Sequence, residues 1–298
     1  MLKSLTIHTT SSPSPTEASY LLDGELVPAS ALPHPLLNRA FSFADGFFES
    51  IRVVGGVPRN VELHYGRIVD SCAGHRMELP DDLTLERFSA ALQALAQASG
   101  IHEGGYIRVT CYRSGGGRYL PLQHRMTWVG IAKPLEDNHF VLNERGLKVD
   151  IYTDMRKPLS PLANFKNLAA TLYVQSAVWA EAGGFDEALI LNDQHQIIES
   201  TRSNIFLASN GVLYTPGLEC GPVGGVMRAA VIGVAQAAGM KVYECNLSPQ
   251  ELLRADELFL TNALRGIQWV SSYRTKRYFS TTAQQLIHLL NAGFTPTS

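Results

Sequence analysis

Four short apolar runs in the second half of the chain, at 187–191, 196–199, 203–208 and 212–215, constrain its fold most strongly. Each is too short for a helix and reads as a strand, and Asn210-Gly211 between the last two is a hairpin turn signal. A strand at 147–153 opens this half. A helix at 168–182 follows, closed by Gly183-Gly184. After the four strands come a helix at 226–238, strands at 241–245 and 257–261, and a final helix over TTAQQLIHLLNAGF.

The first half has another order. YLLDGELVPAS (20–30) starts a hairpin with Asp23-Gly24 as its turn, and 40–60 alternates, with Gly55-Gly56 as a second turn. Helical spacing then covers 61–75 and 83–100, and strands at 105–112 and 126–132 flank the glycine-rich loop SGGGRYLPLQH. Strands, two helices, then strands predict an α+β unit rather than a βαβ array. The expected organisation is a flexible tail at 1–19, which is rich in Ser, Thr and Pro; a small domain at 20–132; a polar link at 133–139 (KPLEDNH); and a large domain at 140–298. No internal repeat is visible.

With 298 residues, 45% of them hydrophobic and 17% charged, the chain can build a large core or two domains. A net charge of −2 gives no general attraction to nucleic acid or to an anionic membrane. The four cysteines (Cys72, Cys111, Cys220, Cys245) form no C-x-x-C pair, and the nine histidines show no ligand spacing, so no metal is expected. No run approaches the ~18 apolar residues of a membrane span, and MLKSLTIHTT lacks a signal-like apolar stretch. The expectation is a cytoplasmic protein with reduced thiols. P-loop, G-x-G-x-x-G, H-E-x-x-H and G-x-S-x-G motifs are absent, which lowers the case for nucleotide hydrolysis, zinc proteolysis and α/β-hydrolase chemistry.

Several residues could carry chemistry. Lys166 is the only charge in SPLANFKNLAATLY and falls about two residues before the expected helix, with Asn167 as a candidate N-cap. The positive end of a helix disfavours an ammonium and leaves a free amine, as Schiff-base chemistry requires; a solvated lysine is the other reading. In GPVGGVMRAAVIG (221–233) a glycine turn enters a helix, so the amides of Val226 and Met227 suit a phosphate, although tight packing explains such a loop equally well. His64 and Arg67 share a helix face, where Arg67 is either a two-pronged phosphate ligand or a surface charge. Glu199 ends the apolar strand of QIIESTRSNIF, so it is either buried with a partner or exposed at an edge. Residues 104–135 hold no Asp or Glu. Arg108 lies on a strand there and Arg113 at its end, either seeking a carboxylate or pairing with acids from elsewhere.

A phosphate cradle, an amine, a carboxylate and carboxylate-seeking arginines together suggest pyridoxal 5'-phosphate (PLP). Over roughly residues 20–298 the sequence resembles the class-IV aminotransferase family, the fold-type IV PLP enzymes, which includes branched-chain and D-amino-acid aminotransferases and aminodeoxychorismate lyase. FADGFFESIRV (43–53) resembles the family's G-D-G-x-[FY]-E strand, with Ala44 in place of the usual glycine. LHYGRI resembles its H-x-x-R-[LI] element, FKNL the segment around its lysine, ESTRSNIF its E-x-x-x-x-N-[IL]-F strand and GGVMR its G-[IV]-x-R loop. ADELFLTNALRGIQWV (255–270) resembles its last conserved strand, with Ala263 where many aminotransferases carry a small hydroxyl residue.

The resemblance implies a two-domain α+β fold, with a smaller N-terminal α/β domain and a larger C-terminal β-barrel-like domain flanked by helices. It implies PLP on Lys166, the ring nitrogen at Glu199, and the phosphate at Arg67, Gly225, Val226, Met227, Asn262 and Ala263. Substrate would meet Phe47, Arg52, Arg108 and Arg113. Transfer of an amino group between an amino acid and a 2-oxo acid, in a homodimer, is the implied activity. YRSGGGR, GGVMR and TNAL also resemble the aminodeoxychorismate lyase, which releases pyruvate and 4-aminobenzoate. A PLP-binding protein without turnover is a third reading, which intact Lys166 and Glu199 oppose.

Overall fold

A computed structural model of the chain describes residues 19–33 and 38–293. The expected tail lies outside these residues except for Ser19, which begins the first strand. The first half contains β1 (Ser19–Leu22), β2 (Glu25–Pro28), α1 (Arg39–Phe43), β3 (Gly46–Val54), β4 (Val57–Pro58), α2 (Val61–His75), α3 (Leu85–Ala98), β5 (Gly105–Arg113) and β6 (Met126–Pro134). Its strands form one six-stranded sheet in the order β2-β1-β6-β5-β3-β4. Asp23-Gly24 and Gly55-Gly56 turn the two hairpins with positive φ throughout, the conformation that suits the twist of two-residue hairpin loops. One face of the sheet packs on α2 and α3 through Phe47, Ile51, Phe88, Leu92, Ile107 and Trp128. The other face is half-buried and carries Phe48, Ser50 and Arg108. β6 runs through Lys133 and Pro134, two residues past the strand expected at 126–132.

The second half contains β7 (Leu147–Ile151), α4 (Thr171–Ala182), β8 (Glu187–Leu191), β9 (Ile197–Ser200), β10 (Asn204–Ser209), β11 (Val212–Pro216), α5 (Val226–Ala237), β12 (Lys241–Cys245), α6 (Pro249–Arg254), β13 (Glu257–Asn262), β14 (Gly266–Tyr273), β15 (Lys276–Arg277) and α7 (Thr281–Ala292). Strands β10-β13-β14-β7-β8-β9 lie side by side, and β9 pairs back onto β10 through Glu199 and Asn204. Six strands therefore close into a barrel, as the family resemblance implies.

Alternation along the strands divides the barrel's two faces. Val149, Leu189, Ile197, Ile205, Leu207, Leu258 and Leu260 fill the interior. Phe206 and Phe259, stacked with ring centroids 5.2 Å apart, point outward beneath α5 and α7. One irregularity matters for the site. Ile190 pairs with Glu199 but Leu191 pairs with Ile197, so Ile198 is an extra, bulged residue. The bulge turns Glu199 to the outer face, beside the cluster of Ile190 and Ile198. Glu199 on β9, Asn204 on β10 and Thr261 on β13 then sit opposite one another in a row across three strands. Among the described residues no helix is long and apolar enough to cross a membrane.

Candidate active site

A cavity of about 620 Å³ lies between the half-buried face of the six-stranded sheet and the outer face of the barrel. It brings together Arg67 from α2, Lys166 from the segment before α4, Glu199 from β9, Gly225, Val226 and Met227 at the start of α5, Asn262 at the end of β13 and Ala263 just after it. These parts of the chain are far apart in sequence, and each reaches the cavity for a local reason.

Lys166 belongs to an extended segment docked on β3. Phe48 N donates to the Lys166 carbonyl (2.9 Å), and Leu168 N donates to that of Gly46 (3.0 Å). The lysine Nζ is thereby held 4.3 Å from the Phe48 ring centroid. Burial, and next the nearby Arg67 charge, lower its pKa to about 8. Helix-end electrostatics are not the cause: α4 starts at Thr171 with Ala170 as N-cap, and Asn167 instead donates its side-chain amide to the Leu162 carbonyl.

Glu199 is buried and has three donors. Its Oε1 accepts from Lys157 Nζ (2.7 Å) and Tyr173 OH (2.8 Å), and its Oε2 accepts from Val223 N (2.8 Å). Burying a carboxylate is costly unless it is paired and hydrogen-bonded, and here it is both. Burial and the adjacent carboxylate raise the Tyr173 pKa, so Tyr173 stays protonated as a donor.

Arg67 is set by a second buried acid. Its Nε and Nη2 form a two-pronged pair with Glu49 (2.8 and 2.5 Å), and Nη1 donates to the Gly224 carbonyl (2.7 Å). His64 Nδ1 also meets Glu49, at 2.5 Å. Burial alone would raise the Glu49 carboxyl, but Arg67 and His64 outweigh it and hold it at about 2. Burial in turn lowers the His64 pKa, so the neutral ring donates to Glu49. The guanidinium is thus locked by three of its five N–H donors, and one N–H on each of Nη1 and Nη2 is left over beside the start of α5.

That helix start has no side-chain cap. The first amides of a helix have no intrahelical acceptor, so those at Val226 and Met227 form an anion-seeking end. Gly225 is required there, because a Cβ would overlap Asn204 Oδ1. Asn204 is itself fixed by donating to the Val223 carbonyl (2.7 Å). On the far side, Asn262 Oδ1 accepts from the amides of Leu264 and Arg265 and its Nδ2 donates to Ser203, which fixes the turn that carries Ala263.

The four residues expected to meet substrate are placed differently. Phe47 is fully buried on the helix-facing side of β3, and alternation gives its neighbour Phe48 the cavity wall. Arg52 donates to the carbonyls of Asp137, His139 and Leu264 and does not line the cavity. Arg113 is bound to Asp45 (3.0 Å) and to the carbonyls of His75 and Arg76, beside a separate smaller hollow. Arg108 does not line the cavity either, but it stacks 3.8 Å from the ring centroid of Phe48, which does, and has no carboxylate paired to it among the described residues. Sequence reasoning missed Glu49, Lys157 and Tyr173. Glu49 was detectable as a charge inside an apolar alternating strand, whereas nothing around Lys157 marks it as buried.

Residues 46–273 match the family described as Amino-transferase class IV. The chain is 30% identical over 249 residues to a protein of Methanocaldococcus jannaschii assigned as a branched-chain-amino-acid aminotransferase, covering 83% of this chain and 84% of that one. It is 28% identical over 240 residues to the aminodeoxychorismate lyase of Vibrio harveyi, covering 80% and 86%. The crystal structure of the branched-chain aminotransferase of Thermoproteus uzoniensis with norvaline superposes with a TM-score of 0.82 at 26% identity, over 91% of this chain and 92% of that one.

Proposed function

The chain belongs to the class IV aminotransferases, and from that membership we propose that it binds PLP in the 620 Å³ cavity and transfers an amino group between an amino acid and a 2-oxo acid. The observation that carries this reading is Lys166, a half-buried amine whose pKa is lowered to about 8, in the same cavity as Glu199 and Arg67. The residues present fit the cofactor. The α5 amides and the left-over N–H groups of Arg67 suit a phosphate, Glu199 suits a protonated ring nitrogen, and Lys166 suits an aldehyde carbon.

When bound, the cofactor supplies that aldehyde and a ring that draws electrons from the substrate carbon. Lys166 Nζ would anchor it and, as a neutral base with a pKa near working pH, would take the proton from the substrate Cα. Glu199, which accepts hydrogen bonds from Lys157, Tyr173 and the Val223 amide, would pair with the ring nitrogen. Arg67 and the start of α5 would hold the phosphate, and Phe48 forms the cavity wall beside Lys166. Arg108, stacked on Phe48 at the cavity's edge, is the residue we assign to a substrate carboxylate.

A cytoplasmic homodimer completes the reading. The homodimer is supported by apolar residues exposed on α4 (Val174 and Val178, each 56%) and by the 114–124 loop, whose Tyr119 is 91% exposed. A second reading, elimination of pyruvate from aminodeoxychorismate, is favoured by the Vibrio harveyi relative and by TNAL at 261–264. The test uses PLP-loaded protein given amino acids in one series and aminodeoxychorismate in another. Amino-acid-driven conversion of the cofactor to its pyridoxamine form supports transamination. Pyruvate release with an unchanged cofactor spectrum supports the lyase. Neither event in a PLP-loaded protein overturns both.

A further inference from the structure

Thr261 is 1% exposed, lines the cavity, and has no hydrogen-bond partner for its Oγ1 among the described residues. A buried hydroxyl is nearly always satisfied, because leaving it unpaired forfeits its hydration with nothing in return. Alternation gives its direction. Leu260 points into the barrel, while Phe259 and Thr261 point outward toward α5. Its cross-strand neighbour is Asn204, whose Oδ1 abuts Gly225 at the start of α5.

The other nearby polar groups are occupied. Asn262 is engaged by Ser203 and its own turn, Asn204 donates to Val223, and Ala263 has no side-chain donor. The uncapped amides of α5, the left-over N–H groups of Arg67 and an idle hydroxyl thus share one end of the cavity. We propose that Thr261 Oγ1 is a cofactor-binding group that donates a hydrogen bond to the phosphate of PLP, alongside the Val226 and Met227 amides. The assignment rests on the proposed PLP reading and adds to it a ligand residue.

The test compares full-length wild type with Thr261→Val, which keeps the shape and removes the hydroxyl, and with Thr261→Ser, which keeps the hydroxyl. Each chain is freed of cofactor and titrated with PLP, its cofactor-free melting temperature is measured, and the phosphorus resonance of bound PLP is recorded. Thr261→Val is expected to weaken PLP binding by about ten-fold or more, the effect of one hydrogen bond to a charged acceptor. It should also shift the phosphorus signal and leave the cofactor-free chain at least as heat-stable, since an unpaired group has been removed. Thr261→Ser should stay within about two-fold in affinity. Should the valine chain fold poorly, Thr261→Ala carries the same affinity and phosphorus comparison. Unchanged affinity and phosphorus signal without the hydroxyl would overturn the assignment while leaving the PLP reading intact. A valine chain that melts markedly lower without cofactor would also overturn it, by revealing a structural partner for the hydroxyl. Wild type that takes up no PLP would overturn the PLP reading itself, and the assignment with it.

Discussion

At the scale of single residues the site is a set of buried charges held by named partners, and the exception is Lys166. It has no ion-pair partner among the described residues, and burial brings its pKa from 10.5 to about 8. The unfolded chain therefore binds more protons than the folded one between about pH 8 and 10.5, so stability without cofactor rises with pH across that window. Below it the amine carries a constant penalty of a few kcal/mol, at ~1.4 kcal/mol per pKa unit. Lys166→Met should be more stable than wild type at pH 7 and lose the advantage by pH 10.5, measured by urea unfolding at several pH values. The opposite sign is expected at Glu49. Glu49→Gln leaves Arg67 without its charge partner and weakens the acceptor of His64, so it should lower stability by roughly 2–4 kcal/mol and raise the PLP dissociation constant. Equilibrium unfolding and PLP titration check the two effects, and a variant as stable as wild type would count against the paired arrangement.

Among the elements, the start of α5 is the most exacting. Gly225→Ala drives a methyl into Asn204 Oδ1, which should push Asn204 and the first turn apart and weaken PLP binding at least several-fold, with a smaller effect on melting temperature. PLP titration beside a thermal melt separates the two. The elements also show what could be read from the chain beforehand. Helix α2 and strands β8 and β12 fall where apolar spacing put them, because each buries one well-defined face or stands between clear turns. Helix α6 was passed over although Ser248 and Glu251 form a capping box with a proline at the first turn, a signal open to a closer reading. β14 merges with β13 in the sequence, since Arg265-Gly266 is a weak turn mark between them. The bulge at Ile198 was invisible, because it depends on which strand β9 pairs with. Lys166, Arg67, Glu199 and the α5 amides could be nominated from local sequence, whereas Lys157 could not: its partner is 42 residues away and is brought near only by barrel closure.

For the whole molecule, the question is what covers the outer apolar residues. Arg39 donates to the carbonyls of Gly116, Gly117 and Arg118, so the loop that displays Tyr119, Leu120 and Leu122 is held out by a buried cation rather than left slack. Exposed apolar residues on a fixed loop and on α4 suit a self-complementary interface. If the proposed dimer uses this face, replacing both Val174 and Val178 with Glu should shift it toward monomer in sedimentation at micromolar concentration; a variant that sediments as wild type would overturn that placement.

The closing pair of the barrel has a further consequence. Glu199, Asn204 and Thr261 face one another on adjacent strands, about 4.8 Å apart per step, and the first and last of them flank opposite ends of the proposed ligand. Barrel circumference thereby acts as a caliper, and the spacing between the ring-nitrogen acid and the phosphate end is set by hydrogen-bond register rather than by any loop. Insertions around the cavity mouth leave that gauge untouched. A single residue added within 201–203, where the chain turns from β9 into β10, shifts Glu199 against Asn204 and so changes it.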